Sequence, residues 1–130
     1  MNDWILSAFA DEICDDLTGQ MDELEKWDIR AIELRSANGK NVSAYTLEEA
    51  KDIRRQMADR GFVVSAVGSP IGKVDITAPF EPHLALFKHT LDVAHALDTP
   101  YIRMFSFFMP AGQPAARYRG EVLDRLGEMI

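Results

Sequence analysis

AIELRS, Ala31 to Ser36, opens as an apolar strand and closes on a charge pair. Side chains alternate along a strand, so Ile32 and Leu34 share one face while Ala31, Glu33 and Arg35 share the other. One face is suited to helices and the other carries an acid and a guanidinium. Three further apolar runs of strand length flank this one: Ile5 to Ala10 (ILSAFA), Phe62 to Val67 (FVVSAV) and Tyr101 to Phe105 (YIRMF). The last repeats the pattern, with Ile102 and Met104 facing one way and Tyr101, Arg103 and Phe105 the other.

Between the runs the apolar spacing is helical. Leu17, Met21, Leu24 and Trp27 fall along one face, with Asp15 or Asp16 as N-cap and an end before Ile29. Thr46 and Glu49 form a T-x-x-E capping box, followed by Ala50, Ile53 and Met57 and closed at Gly61. A third helix starts near Glu81 and Pro82 and runs through Leu84, Phe87, Leu91 and Ala94, with a second stripe of Leu86, Val93 and Leu97. Arg119 to Met129 gives a fourth, with Val122, Leu123 and Leu126 at helical spacing.

The alternation predicts an α/β fold of parallel strands joined by right-handed crossovers. Strand starts at 5, 31, 62 and 101 are separated by 26, 31 and 39 residues. That spacing is close to the ~31 residues per unit of a (β/α)8 TIM barrel of about 250 residues. Four units make the first half of such a barrel, so residues 1–130 are expected to be the N-terminal part of one barrel domain, truncated after the fourth strand. A complete four-stranded flavodoxin-like domain is the alternative.

Composition narrows the function classes. The chain has 130 residues, 47% hydrophobic and 27% charged, in the range of ordinary globular proteins. Its net charge of −7 repels phosphate backbones and anionic membranes, so neither nucleic acid nor a membrane is an expected partner. The N-terminus lacks the basic region of a secretory signal, and a cytoplasmic protein is expected. Cys14 is the only cysteine, which excludes an internal disulfide and a thiolate zinc cluster and favours a small apolar filler role.

Candidate site residues follow from the geometry of a barrel, whose active sites lie at the C-terminal ends of the strands. Glu33, Arg35 and Arg103 would point there. Buried charges must find each other, water, a metal or a polar ligand, so a Glu33–Arg103 or Glu33–Arg35 ion pair is an equally good purely structural account. The loop Gly68-Ser69-Pro70-Ile71-Gly72-Lys73 offers two glycines, a hydroxyl and a lysine to an anion, through Ser69 and Lys73. Asp11 and Glu12 read more readily as acids entering the first helix than as carboxylates at the mouth. His83, His89 and His95 recur every six residues, about 240° apart around a helix, and form no metal face. Met104, Phe105, Phe107, Phe108 and Met109 make an aromatic run at the exit of the fourth strand, read as core and rim.

The phrases SAFADEI, IELR, VSAVGSPIGKV and YIRMFSFF, in this order and spacing over essentially the whole chain, resemble the first half of the xylose-isomerase-like TIM barrels, the sugar phosphate isomerase/epimerase group. The resemblance implies a sugar or sugar-phosphate isomerase or epimerase that moves a proton next to a carbonyl. It also implies a divalent metal (manganese, magnesium or cobalt), held by Glu, Asp, His and Glu ligands on later strands that this chain does not contain. What carries over is the substrate-side wall: Glu33, Arg35, Gly68, Ser69 and Arg103. Many sugar epimerases of the group place histidine at the third- or fourth-strand exit. Gly68-Ser69 and Arg103-Met104 stand there instead, which points to an anionic substrate, and the 130-residue chain alone is expected not to turn over. Two other readings compete: a non-catalytic half-barrel that binds a small ligand or self-associates, and, against the acidic charge balance, a metal-dependent endonuclease for abasic DNA.

Overall fold

The computed structural model describes residues 4–130. A parallel sheet is built from β1 (Ser7–Ala8), β2 (Ala31–Leu34), β5 (Val63–Gly68) and β6 (Ile102–Arg103), which lie in that order. The order shows none of the reversal that defines a flavodoxin-like sheet. Helices α1 (Leu17–Glu25), α2 (Leu47–Asp59) and α3 (Glu81–Ala96) follow the first three sheet strands, and α4 (Arg119–Met129) follows the last.

One face of the sheet carries the core. Ile32 and Leu34 of β2, with Val64 and Val67 of β5, pack against Leu17, Met21 and Leu24 of α1, Ala50, Ile53 and Met57 of α2, and Val93 and Ala94 of α3. The alternation read in AIEL therefore holds, with the apolar set turned to the helices. A second cluster joins α3 to α4: Leu84 and Phe87 meet Met129, Ile71, Ile76 and Phe107, with Val122 and Leu126 packed on them. The opposite face of the sheet is open. Val63 is 58% exposed there, and the Ser7 and Ser65 hydroxyls meet at 2.6 Å across β2.

Each helix has a local cause. Asp16 accepts from the Gly19 N–H at 2.6 Å and caps α1. Thr46 and Glu49 exchange hydrogen bonds with each other's backbone N–H, at 3.1 and 2.9 Å, completing the capping box of α2. Gly61, one residue past the C-cap, takes φ +75° as the C′ position requires. Pro82 sits in the first turn of α3, where its missing N–H costs nothing.

Four expectations are corrected. The run Ile5 to Ala10 yields only the two residues of β1, because its pairing with β2 covers only Ser7 opposite Ala31 and Ala8 opposite Ile32, and Ile5 and Leu6 are 82% and 68% exposed. Trp27 lies beyond the end of α1 and is 70% exposed, since the chain turns at Lys26 and reaches φ 55° at Asp28. Leu91 sits at the edge of its stripe, 37% exposed. Cys14 is no core filler: it is half-buried, with its thiol near the Asp16 carbonyl.

One element escaped the sequence reading, the hairpin of β3 (Ser36–Ala37) and β4 (Lys40–Asn41). Its turn, Asn38-Gly39, has φ 54° and 77°, the two left-handed residues of a type I′ turn. Among the described residues no helix is long and apolar enough to cross a membrane.

Candidate functional site

The C-terminal ends of the sheet strands open on a cleft of about 200 Å³. Its floor is Gly68, the last residue of β5. A Cβ on Gly68 would lie 2.7 Å from Arg35 Cγ, 3.2 Å from Arg103 Nη2 and 3.4 Å from Glu33 Oε1. Absence of a side chain here, at the end of β5, is what lets Glu33 and the Arg35 stem from β2 and its exit approach the Arg103 guanidinium of β6.

Arg35 is paired with two acids. Its Nε donates to both carboxylate oxygens of Asp11, at 2.9 and 3.1 Å, and its Nη2 to Glu12 Oε1 at 3.0 Å. Its guanidinium lies 4.4 Å from the Phe9 ring centroid. The bonds to Asp11 raise the Arg35 pKa, so the charge is fixed at any accessible pH. Asp11 also accepts from the Ser36 hydroxyl at 3.2 Å. Asp11 and Glu12 are therefore mouth carboxylates, against the helix-entry reading. The physical reason is distance along the chain: they belong to a short 3-10 turn at Ala10–Glu12, and α1 begins only at Leu17. The Glu33–Arg35 pair is likewise replaced by Arg35 with Asp11.

Arg103 behaves differently. Its Nε approaches Glu33 Oε1 at 3.5 Å, an ion pair, yet neither atom has a hydrogen-bond partner among the described residues. Its guanidinium plane lies 4.7 Å from the Phe105 ring centroid. Buried polar atoms without partners cost free energy, so this pair is held in place by its surroundings rather than by its own bonding.

Lys73 is exposed, 5.7 Å from the same Phe105 ring, and forms no ion pair among the described residues. Ser69 is completely buried: its hydroxyl donates to the Arg103 carbonyl at 2.6 Å and accepts from the Ile71 N–H at 3.2 Å. The hydroxyl thus ties the loop to β6, while Asn41 and Ser36 close the cleft from the hairpin side.

The loop carrying Lys73 runs beside the exit of β6 as though it were a further strand. Phe105 N–H donates to the Ile71 carbonyl at 2.8 Å, and Phe107 N–H to the Gly72 carbonyl at 2.9 Å. Gly72 has φ +78°, and a Cβ on it would overlap the Phe105 carbonyl. Phe107, buried, holds φ +71°, uncommon for a bulky residue. Sequence inspection missed this pairing because each partner strand is only one or two residues long.

The arrangement offers two cations with spare hydrogen-bonding capacity, Arg103 and Lys73, on one wall of a polar cleft. The histidines do not join it: His89 Nε2 lies 2.8 Å from the Tyr45 carbonyl, His95 is exposed, and His83 meets the loop from behind. Among the described residues no three His, Cys, Asp or Glu side chains gather to hold a metal. Comparison with family models, with curated proteins and with solved structures finds no match, and the function has to be read from the cleft itself.

Proposed function

We propose that the chain supplies the substrate-holding wall of a sugar or sugar-phosphate isomerase or epimerase, as the first four β/α units of a TIM-type barrel. The sequential parallel sheet with α1, α2 and α3 on one face supports the barrel reading. One observation carries the functional reading: Glu33, Arg35 and Arg103 meet over the bare backbone of Gly68, at the strand ends where such folds do their chemistry. In this reading Arg103 and Lys73 hold the anionic end of the substrate, a phosphate or carboxylate. Arg103 presents a planar fork and Lys73 a mobile point charge. Arg35, its charge matched by Asp11 and Glu12, shapes the wall and leaves ligand binding to the other two. The divalent ion implied by the family resemblance has no ligand set among the described residues.

Titration with a sugar phosphate and with the matching neutral sugar, followed by backbone NMR, tests the reading. Perturbation of Gly68, Lys73 and Arg103 by the phosphate alone is expected, and loss of it in Lys73→Met. Equal perturbation by both sugars, or by neither, would sink it.

A second reading, a self-associating module, is favoured by surface area. The accessible surface is 7897 Å². A folded monomer of this mass exposes about 6,900 Å². The excess resembles one side of an ordinary interface, about 800 Å² per partner. Sedimentation at several concentrations separates the two: a stable dimer favours the module, a monomer the first reading.

A further inference from the structure

His83 lies outside the cleft, on α3, yet it touches the loop that forms the cationic wall. Its Nε2 accepts a hydrogen bond from the Gly72 N–H at 2.7 Å. Only a neutral imidazole protonated on Nδ1 can do this. Gly72 adjoins Lys73, and its carbonyl accepts from Phe107, so one backbone unit links α3, the loop and the exit of β6. The unit lies so close to Phe105 that even a methyl group on Gly72 would overlap the Phe105 carbonyl.

We propose that neutral His83 is a positioning residue for the anion-binding wall, and that protonating this one imidazole frees the Lys73 loop and weakens binding in the cleft. Protonation removes the acceptor and sets two donors nose to nose. The surroundings make the charged form harder to accommodate. From β6's exit, Phe107 packs edge-on at 6.1 Å and offers no acceptor. From α4, Arg125 stands close, 5.4 Å from the Phe107 ring, and adds a like charge. Burial pushes the His83 pKa below the ordinary imidazole value, and Arg125 pushes it the same way. The loop opens more readily as pH falls below that ordinary value, because the released imidazole binds the proton more tightly than the seated one.

The binding half of this proposal rests on the anion-cleft reading; the positioning half does not. The experiment follows Gly72 amide exchange, the His83 ring titration and sulfate affinity together, from about pH 8 to about pH 5, sulfate being a dianion throughout. Opening at Gly72 should rise by up to about tenfold per pH unit as pH falls from the ordinary imidazole value toward the His83 inflection, and level off below it, with sulfate affinity falling in parallel. His83→Gln keeps an amide oxygen that accepts but cannot titrate, so both profiles should become flat. Gly72 exchange that ignores the His83 titration, or an unchanged pH profile in His83→Gln, overturns the proposal. If that variant does not fold, the levelling of Gly72 opening at the His83 inflection in the native chain decides. Sulfate that fails to bind at any pH overturns the binding half and the anion-cleft reading together, while the positioning half still stands or falls on Gly72.

Discussion

Replacing Gly72 by alanine asks more of the fold than the small size of a methyl suggests. A residue with a Cβ at φ +78° costs ~1–2 kcal/mol in backbone strain alone. Here the added carbon would also lie 2.5 Å from the Phe105 carbonyl carbon, so loop and β6 exit must separate. Separation breaks the bonds from Phe105 N–H to the Ile71 carbonyl, from Phe107 N–H to the Gly72 carbonyl, and from Gly72 N–H to His83. At about 1 kcal/mol each, these bring the total to about 4–5 kcal/mol, against the ~5–15 kcal/mol of a whole domain. Gly61 supplies the control, with φ +75° but nothing within 4 Å of its would-be Cβ. Gly61→Ala should cost only the backbone strain, ~1–2 kcal/mol. Urea unfolding of both variants measures the gap, expected near 3 kcal/mol. A gap under about 1 kcal/mol would show that the loop yields without loss, and the description of it as a pinned strand would be wrong.

Thr46→Ala removes one half of the capping box and should lower stability by about 1 kcal/mol, read from the urea midpoint. Asp11→Asn leaves Arg35 without its paired carboxylate; with both side chains partly exposed, a loss of ~1 kcal/mol is expected, shrinking in high salt. Arg103→Lys retains the charge but not the plane lying over Phe105, and sulfate affinity measured by calorimetry should fall about threefold to tenfold with little change in stability. The His83 pKa is lowered from 6.5 by folding, so the folded chain binds fewer protons there than the unfolded one. Its contribution is complete above pH 6.5 and is lost as pH falls from there through the folded value, which a series of urea midpoints in native chain and His83→Gln would register as a slope present only in the former.

Much of this architecture is written in periodicity. The stripe Ala50, Ile53, Met57 and the capping signal fix α2 at Leu47–Asp59, and Val122 and Leu126 fix α4 at Arg119–Met129. The alternation in AIEL names the residues that meet helices. Asp11 was misread because its neighbours in sequence suggested a helix start, while its true partner, Arg35, is 24 residues away and reached only through the sheet. Ser36–Asn41 did carry a local signal, since Asn-Gly flanked by short polar arms is a hairpin turn, but arms of two residues give no hydrophobic alternation to notice. Strand alternation puts Glu33 on one face with both Arg35 and Arg103 and leaves its partner open between them; the structure pairs it with Arg103. Spacing alone does not reveal that the pair lacks hydrogen bonds, because that depends on the bulk of Phe105 and the bareness of Gly68.

The sheet's chain-order arrangement has a consequence for synthesis on the ribosome. Each strand pairs with one that has already emerged: β2 with β1, β5 with β2, β6 with β5. Closure therefore spans a single β/α unit at every step, which keeps the entropy of each loop small. A nascent chain can add layer upon layer in the direction it is translated, and the cationic wall forms only once β6 and its exit pair with β5 and the loop that follows it.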